Sequence, residues 1–360
     1  MKFLASFVLL VLILFSTDAR ALEQTQELVR QPRTMAMGGA GIGLADDEYA
    51  LFQNAAGIAG QDKREFRPAA VGVEGSWDTY ANIGPLMAAM NNFSLNSLNA
   101  FMGKDLAFRA AEVPMILLPH FSVAYIVDGQ FALNQNNLVN PTFNLGYMIT
   151  QGVQLGTAWS FAQGRHPTDE FRIGVAAKLL SRKGGYYDIG TTGLLEASAG
   201  GTKYINSLIG NFGAGMGGDV GVQYLKKLSP RDTVSFGASV TDIGNTHFFN
   251  SNAMTIPMAV GAGVGYVKKL DELKMSFDFD IRNITLATSF SNKLHFGSEF
   301  SLGFINLFAG LNQLDITYGV GFDLWVIKFM FVSYEEELGP AYGQFQSRRD
   351  MLQVNFAMPI

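Results

Sequence analysis

The chain has no cysteine, so it has no disulfide framework, no thiolate metal site and no thiol nucleophile. It is also poor in charge. Asp, Glu, Lys and Arg make up 16% of its 360 residues, against roughly 25% in ordinary globular domains. The net charge of −5 offers no basic surface, which argues against a nucleic-acid partner. Long apolar runs are missing too: beyond the N-terminus nothing approaches the ~18 apolar residues of a membrane helix. His120, His166, His247 and His295 stand apart with no metal-ligand spacing. There is no G-x-S-x-G elbow and no Walker loop, so neither an enzyme nor a cofactor is expected.

What the chain does have is 40 glycines, 29 phenylalanines and 48% hydrophobic residues. Abundant aromatics and glycine with little charge suit a membrane β-barrel better than a soluble enzyme. Residues 1–21 read as a secretory signal peptide: Lys2 is the positive start, Phe3 to Phe15 the apolar stretch, and Ala19-Arg20-Ala21 the cleavage site.

From about Phe66 onward the chain alternates with period two. In LKMSFDFDIR, Leu273, Met275, Phe277, Phe279 and Ile281 fall on one face, and Lys274, Ser276, Asp278, Asp280 and Arg282 on the other. A soluble sandwich strand would read the same way. Repetition decides, because elsewhere the second face is persistently small. Val234, Phe236, Ala238 and Val240 alternate with Ser235, Gly237 and Ser239; Ile316, Tyr318, Val320, Phe322 and Leu324 alternate with Thr317, Gly319, Gly321 and Asp323. A lipid-facing exterior accounts for the bulk, and a crowded lumen for the glycines. The expected fold is all-β, an antiparallel transmembrane β-barrel of about 14 strands. The segments lie near 68–77, 120–128, 130–138, 142–149, 152–162, 170–183, 217–226, 232–243, 256–268, 272–283, 292–302, 304–312, 314–324 and 326–334. Residues 350–360 are a further candidate, and Asp128-Gly129 and Gly303 read as short turns.

Two stretches break the rhythm. Gly84 to Val113 spaces its apolar residues by three and four, which reads as an amphipathic helical pair inserted in a loop. It serves either as a helix packed on the barrel rim or as an apolar landing surface for ligand, with Met87, Met90, Phe93, Phe101 and Met102 as that surface. Gly184 to Gly215, rich in Gly, Ser and Thr, reads as a long loop.

The stretch that organises the rest is Arg33 to Ala59. Its glycines imply tight turns, and Asp46 or Asp47 is placed to cap a short helix ending near Asn54. Gly39-x-Gly41-x-Gly43 follows no strand of a βαβ unit and is not a nucleotide loop. Arg33, Met35, Met37, Gly38, Gly39 and Ala40, then Ala45-Asp46-Asp47, then Phe52, Asn54, Ala56 and Gly57 resemble the N-terminal segment of the FadL-type long-chain fatty-acid transporters and their PorV-like and TraF-like relatives. The family's proline after the asparagine is Ala55 here. Thr241 to Thr246 before Ile256-Pro257, and His295 to Phe300 before Leu307 to Gly310, resemble the same family's strand-turn-strand units. Leu352, Val354, Phe356, Met358 and Ile360 resemble a terminal insertion strand without the usual final aromatic.

The resemblance implies an N-terminal hatch at residues 22–63 inside a barrel formed by residues 64–360. It implies location in the Gram-negative outer membrane, with lipid around the wall. It further implies passive uptake of hydrophobic small molecules such as long-chain fatty acids, gated by Arg33, Gly38, Gly39, Gly41, Asp46, Asp47, Phe52, Asn54, Ala56 and Gly57. The PorV-like branch implies a different role, a scaffold that holds partner proteins for secretion or surface assembly. An apolar pocket reaching the hatch would favour the first role, and a lumen filled by charged side chains the second. The inward charges Arg172, Lys178, Lys274, Asp278, Asp280, Arg282, Glu299 and Asp323 are expected to pair with one another or with the hatch. His295 and Glu299, on one inward face, form either a lumenal hydrogen-bonded pair or the only candidate hydrolytic pair.

Overall fold

The computed structural model describes residues 27–91, 101, 103–135, 142–163, 169–190, 192–193, 196, 202–339 and 342–360. The expected signal peptide lies outside the described residues. The wall is built from β1 (Glu65–Ser76), β2 (in two collinear pieces, Asp105–Glu112 and Met115–Leu118), β3 (Phe121–Gln135), β4 (Phe143–Gln163), β5 (Asp169–Ile189), β6 (Gly213–Lys227) and β7 (Asp232–Thr241). It continues through β8 (Ala259–Lys269), β9 (Leu273–Ile281), β10 (Leu294–Leu302), β11 (Ile305–Asn312), β12 (Asp315–Leu324), β13 (Ile327–Glu337) and β14 (Gln346–Pro359). Each strand pairs antiparallel with the next, and β14 returns to β1 from Glu65↔Pro359 to Ser76↔Arg349. The sheet contains 16 strand segments. With β2 taken as one stave and the two-residue strand Phe248–Phe249 set aside, it closes as a 14-stranded barrel. Closure leaves no unpaired edge, which a lipid environment requires.

The expected total is right, although its parts differ. Asp128-Gly129 is not a turn: β3 passes through it, with Asp128 opposite both Ala111 and Thr150. Likewise 142–149 and 152–162 are one strand of 21 residues. These two mergers are balanced by β2, which falls in the stretch read as helical, and by β14, the further candidate. Gly303 is a turn residue, at φ +59°. With an even number of staves, the start of β1 and the end of β14 lie at one end of the barrel, called here the near end.

Side-chain parity follows the sequence alternation. Phe236, Val264, Phe279, Phe296, Leu307, Tyr318, Phe329 and Leu352 are exposed on the outside, while Ser235, Gly237, Gly263, Gly265, Asp278 and Asp280 face in. Only lipid matches a surface so apolar around a closed wall. Trp159 and Trp325 are exposed toward the near end and Trp77 at the far end, the positions of interfacial aromatic anchors. Among the described residues no helix is long and apolar enough to cross a membrane.

The wall is uneven in height. β4 and β5 have 21 residues each, whereas β9 to β12 have 9, 9, 8 and 10. Over the tall side lie α-helices within the two irregular stretches. Residues 92–100 and 102 lie outside the described residues. Among the described residues the helical reading of Gly84 to Val113 holds for Ile83–Asn91 and fails at Asp105–Glu112, which is strand. Alanines at Ala107, Ala110 and Ala111 had weakened the strand alternation there. The long loop of Gly184 to Gly215 is also shorter than expected, because β5 runs to Ile189, Thr202–Ile209 is a helix, and β6 begins at Gly213.

Inside, residues 27–64 form the hatch. They hold the α-helix α1 (Pro32–Ala36), the short helix α2 (Ala50–Gln53) and a 3-10 turn, Ala55–Gly60. The hatch passes the staves in reverse order, from β12 at Ala36 to β5 at Ala55. It does so at a spacing only glycine permits. A Cβ on Gly319 would lie 2.8 Å from the Ala36 Cβ, one on Gly310 2.5 Å from the Gly38 nitrogen, one on Gly237 2.1 Å from the Ile42 oxygen, and one on Gly174 2.2 Å from the Ala55 carbonyl. Gly237→Val is therefore expected to lower barrel stability by about 1–3 kcal/mol through overpacking. Ala238→Val, one residue on and facing out, should change it little. Thermal unfolding followed by heat-dependent gel mobility checks this, and equal stability of the two variants would contradict the close-packed hatch.

Candidate functional site

Pro32 starts α1 at its first turn, where a missing N–H costs nothing, and holds Gln31 extended. This places Arg33 on the side facing β9 and β10. The Arg33 guanidinium donates to Asp46 at 2.8 Å, to Asp47 at 3.0 Å and to Glu299 of β10 at 2.7 Å. Lys274 of β9 reaches Asp46 at 3.1 Å. One cation thus ties both ends of the glycine-rich loop to the wall. Partial desolvation in the lumen disfavours the charged form of Asp46, which keeps contact with solvent, yet Arg33 and Lys274 overcome it and hold that carboxyl below its ordinary value. Asp47 goes the other way, pushed up by burial and by the neighbouring Glu48 and Asp46 carboxylates. Neither aspartate caps α2 as expected. The helix starts after Tyr49 with no side-chain cap, and Asp47 instead accepts from the Tyr49 N–H at 2.9 Å. The reason is competition: the guanidinium claims both carboxylates.

After α1 the chain turns at Gly38 and Gly39, with φ of +65° and +83°. His295 of β10 donates from Nδ1 to the Gly38 carbonyl at 2.8 Å, since a carbonyl can only accept. Arg282 donates to the Gly39 carbonyl at 2.8 Å. The next peptide groups meet two wall carboxylates. Asp280 accepts from Gly41 and Ile42, each at 2.7 Å, and from Gly43 at 3.2 Å; Asp278 accepts from Leu44 at 3.2 Å. Successive N–H groups converging on a carboxylate satisfy a loop that has no secondary structure of its own. The last tie is Asn54. It donates to the Ile42 carbonyl of the hatch and the Val222 carbonyl of β6, both at 3.1 Å, and accepts from Ala56. Ala56 is buried, Phe52 is partly buried, and Gly57 packs so close that a Cβ would meet the Ala45 oxygen at 1.9 Å.

Of the expected gate residues, Arg33, Gly38, Gly39, Gly41, Asp46, Asp47 and Asn54 therefore meet along one polar seam with β6 to β10. Phe52 packs on the opposite, apolar side, whereas Ala56 lies against Gly174 of β5 and Gly221 of β6, and Gly57 packs within the hatch on Ala45 and Ala50. On that apolar side Leu51, Ala55, Ile58 and Ala59 belong to one cluster with Ala158 of β4, Ala176 of β5, and Ala70, Met115, Leu117, Ala124 and Ile126 of β1 to β3. The expected pairing of lumen charges with one another or the hatch is seen for Lys274, Asp278, Asp280, Arg282 and Glu299. Lys178 pairs with Asp219 at 2.9 Å and Asp242 at 3.0 Å, and Arg172 with Glu170 at 2.6 Å. Asp323 is exposed toward the near end and accepts from Asn306. No hydrogen bond between His295 and Glu299 is found among the described residues, each being committed to the hatch.

A second charged cluster lay outside the sequence reading. Arg30 joins Glu74 of β1 at 2.9 Å and Glu336 of β13 at 2.6 Å, and Arg349 of β14 joins Glu74, Glu336 and Asp105. All are buried at the seam where the barrel closes. Glu74 and Glu336 do fall on inward positions of their strands, which was the available signal; Asp105 lies in the stretch read as helical, and Arg349 just before the candidate strand 350–360.

Of the expected ligand surface, three residues are among those described. Met87 is 61% exposed on the outer helix, Phe101 is 1% exposed and packs with Leu106, Leu133 and Phe143, and Met90 belongs to the helix Ile83–Asn91. Phe93 and Met102 lie outside the described residues. A cavity of about 120 Å³ lies between residues 27–35 and the far ends of β7 to β11, and its lining is mixed: Leu28, Phe52 and Val260 beside Lys178, Asp242, Arg282 and His295. Among the described residues no group of His, Asp and Glu has the arrangement of a metal site.

Asp280→Ala leaves three hatch N–H groups without acceptors and is expected to cost about 3 kcal/mol, with Asp280→Asn, which keeps a carbonyl oxygen, costing less. Limited proteolysis of the folded barrel should show cleavage near Gly41 to Leu44 in the alanine variant first; equal protection of both would contradict the role given to Asp280.

No protein-family model matches the chain, and no curated protein matches it. Among solved structures it is similar to the Ralstonia pickettii toluene transporter TbuX, at 12% identity and TM-score 0.49, covering 93% of this chain and 99% of that one. It is similar to the CymD monoaromatic hydrocarbon channel at 10% identity and TM-score 0.48, covering 93% and 98%. A Pseudomonas aeruginosa FadL homologue aligns at 10% identity and TM-score 0.31, covering 91% and 98%. At these levels none of the three lends its activity to the chain, whose reading rests on its own hatch, wall and the bonds between them.

Proposed function

We propose that the chain is an outer-membrane barrel that passes hydrophobic small molecules, long-chain fatty acids among them, with the N-terminal hatch as its moving part. The observation that carries this is the seating of the hatch. It is a separate stretch of chain, joined covalently to the wall only through β1, and it blocks the lumen from β12 round to β5. Passage along the axis needs the hatch to shift. Passage sideways needs a weak place in the wall, and Pro68 of β1 and Pro114 between the pieces of β2 supply one. Neither has an N–H to give to the ladder, and the β1 register shifts between Phe66 and Ala69. No energy-coupling device is part of this reading, so transport is passive.

The scaffold role is the second reading, and one observation favours it: the lumen is largely filled by paired charges, and the cavity reaching the hatch is mixed rather than apolar. Uptake of a labelled long-chain fatty acid, with toluene as a second probe, separates the two. Three strains are compared: one with the intact gene, one without it, and one whose protein lacks residues 33–59. Uptake that requires the gene and changes with the deletion is the expected result. Equal uptake in all three, with the intact protein folded in the outer membrane, would overturn the transport reading in favour of the scaffold.

A further inference from the structure

Two residues lining the cavity between the hatch start and the low side of the wall carry buried acceptors that no described residue satisfies. His295 is 5% exposed and Gln154 1%, and both line the cavity. His295 spends its Nδ1 proton on the Gly38 carbonyl, so in the neutral ring Nε2 carries a lone pair; it has no partner among the described residues. Gln154 spends its amide N–H groups on the Leu51 carbonyl at 3.0 Å and on Asp219 at 2.8 Å. Its Oε1, again an acceptor, has no partner among the described residues. A buried acceptor without a donor is costly, and such groups mark places where a further molecule completes the site.

The cations lining the cavity are already committed. Arg282 is held by Glu27 at 2.5 Å and the Gly39 carbonyl, Lys178 by Asp219 and Asp242, and Arg30 by Glu74 and Glu336. An incoming carboxylate would find no spare positive charge and would face Glu27, Asp242 and Glu336. A hydroxyl, by contrast, supplies the donor that His295 and Gln154 lack, and Leu28, Phe52 and Val260 offer apolar surface beside it. A cavity of about 120 Å³ holds roughly eight to twelve waters, enough for a small organic molecule.

We propose that this cavity is a binding site for neutral amphiphiles bearing a hydroxyl group, discriminating against both the bare hydrocarbon and the carboxylate of the same chain. The inference deepens the transport reading and rests on it for its meaning, but the site's selectivity is tested on the purified protein without any transport step.

The full-length barrel in detergent micelles is titrated with three ω-trifluorinated six-carbon probes, the alcohol, the alkane and the carboxylate, and followed by fluorine NMR against micelles alone. The alcohol is expected to bind at least about fivefold tighter than either of the others, the worth of one hydrogen bond to a buried acceptor. His295→Asn, which keeps a donor near the Nδ1 position for Gly38 but removes the Nε2 acceptor, should abolish most of that preference. Gln154→Met, similar in volume, is the second variant should the first fail to fold. Equal affinity for alcohol and alkane, tightest binding of the carboxylate, no binding because the cavity holds water only, or a preference unchanged in both variants would each overturn the proposal. Uptake that fails in cells while the alcohol preference persists would instead remove transport and leave the site standing.

Discussion

A peptide group taken out of water must find a partner, and this requirement governs the interior of the barrel. The loop from Gly38 to Leu44 has no helix or strand to satisfy it, and an orphaned N–H or C=O costs about 1–3 kcal/mol. The wall supplies what is missing. Asp280 and Asp278 take four consecutive N–H groups, while His295 and Arg282 take the Gly38 and Gly39 carbonyls. Those bonds work only at close range, which explains why the inward positions of β5 to β8 and β10 to β12 are so often glycine. Carboxylates on the wall and glycines beside them are one solution to one problem.

The hatch has two unlike sides. Toward β6 to β10 it is held by directional polar bonds, each dependent on position. Toward β1 to β5 apolar contact is added, with Leu51, Ile58 and Ala59 in one cluster with Met115, Leu117, Ile126, Ala158 and Ala176. Directional bonds continue there as well, from Arg67 to Glu48, from Arg109 to the Glu27 and Leu28 carbonyls and from Ser122 to Gln61. Above both, Arg30 anchors the start of the hatch in the charged cluster at the closure seam.

Most of the wall was legible because its parity is simple: a strand between lipid and a crowded lumen must alternate bulk with small or polar groups. What escaped was where inward residues imitate something else. Asp128-Gly129 has the composition of a turn, but Asp128 points inward to take the Arg109 guanidinium at 2.6 Å and the strand runs on. In β2, alanines and the Pro114 break hid the period of two. Within the hatch, the glycines and Asn54 announced a tightly packed segment, whereas the partners of Asp46 and Asp47 depended on Arg33, thirteen and fourteen residues away. Contacts between distant segments such as Arg30 and Glu336 carry no local signature at all.

In the proposed function the hatch seals the barrel and must move for solute to pass. Because the chain has no cysteine of its own, a tether can be placed cleanly. Ala36→Cys combined with Gly319→Cys joins the hatch to β12, where the two Cβ positions come within 2.8 Å and need to relax only to the usual ~3.8 Å. Uptake of labelled fatty acid is then compared in oxidised and reduced cells. Uptake is expected to be blocked when the tether is closed and restored by reduction. Equal uptake in both states, with the tether confirmed by mass spectrometry, would contradict a moving hatch.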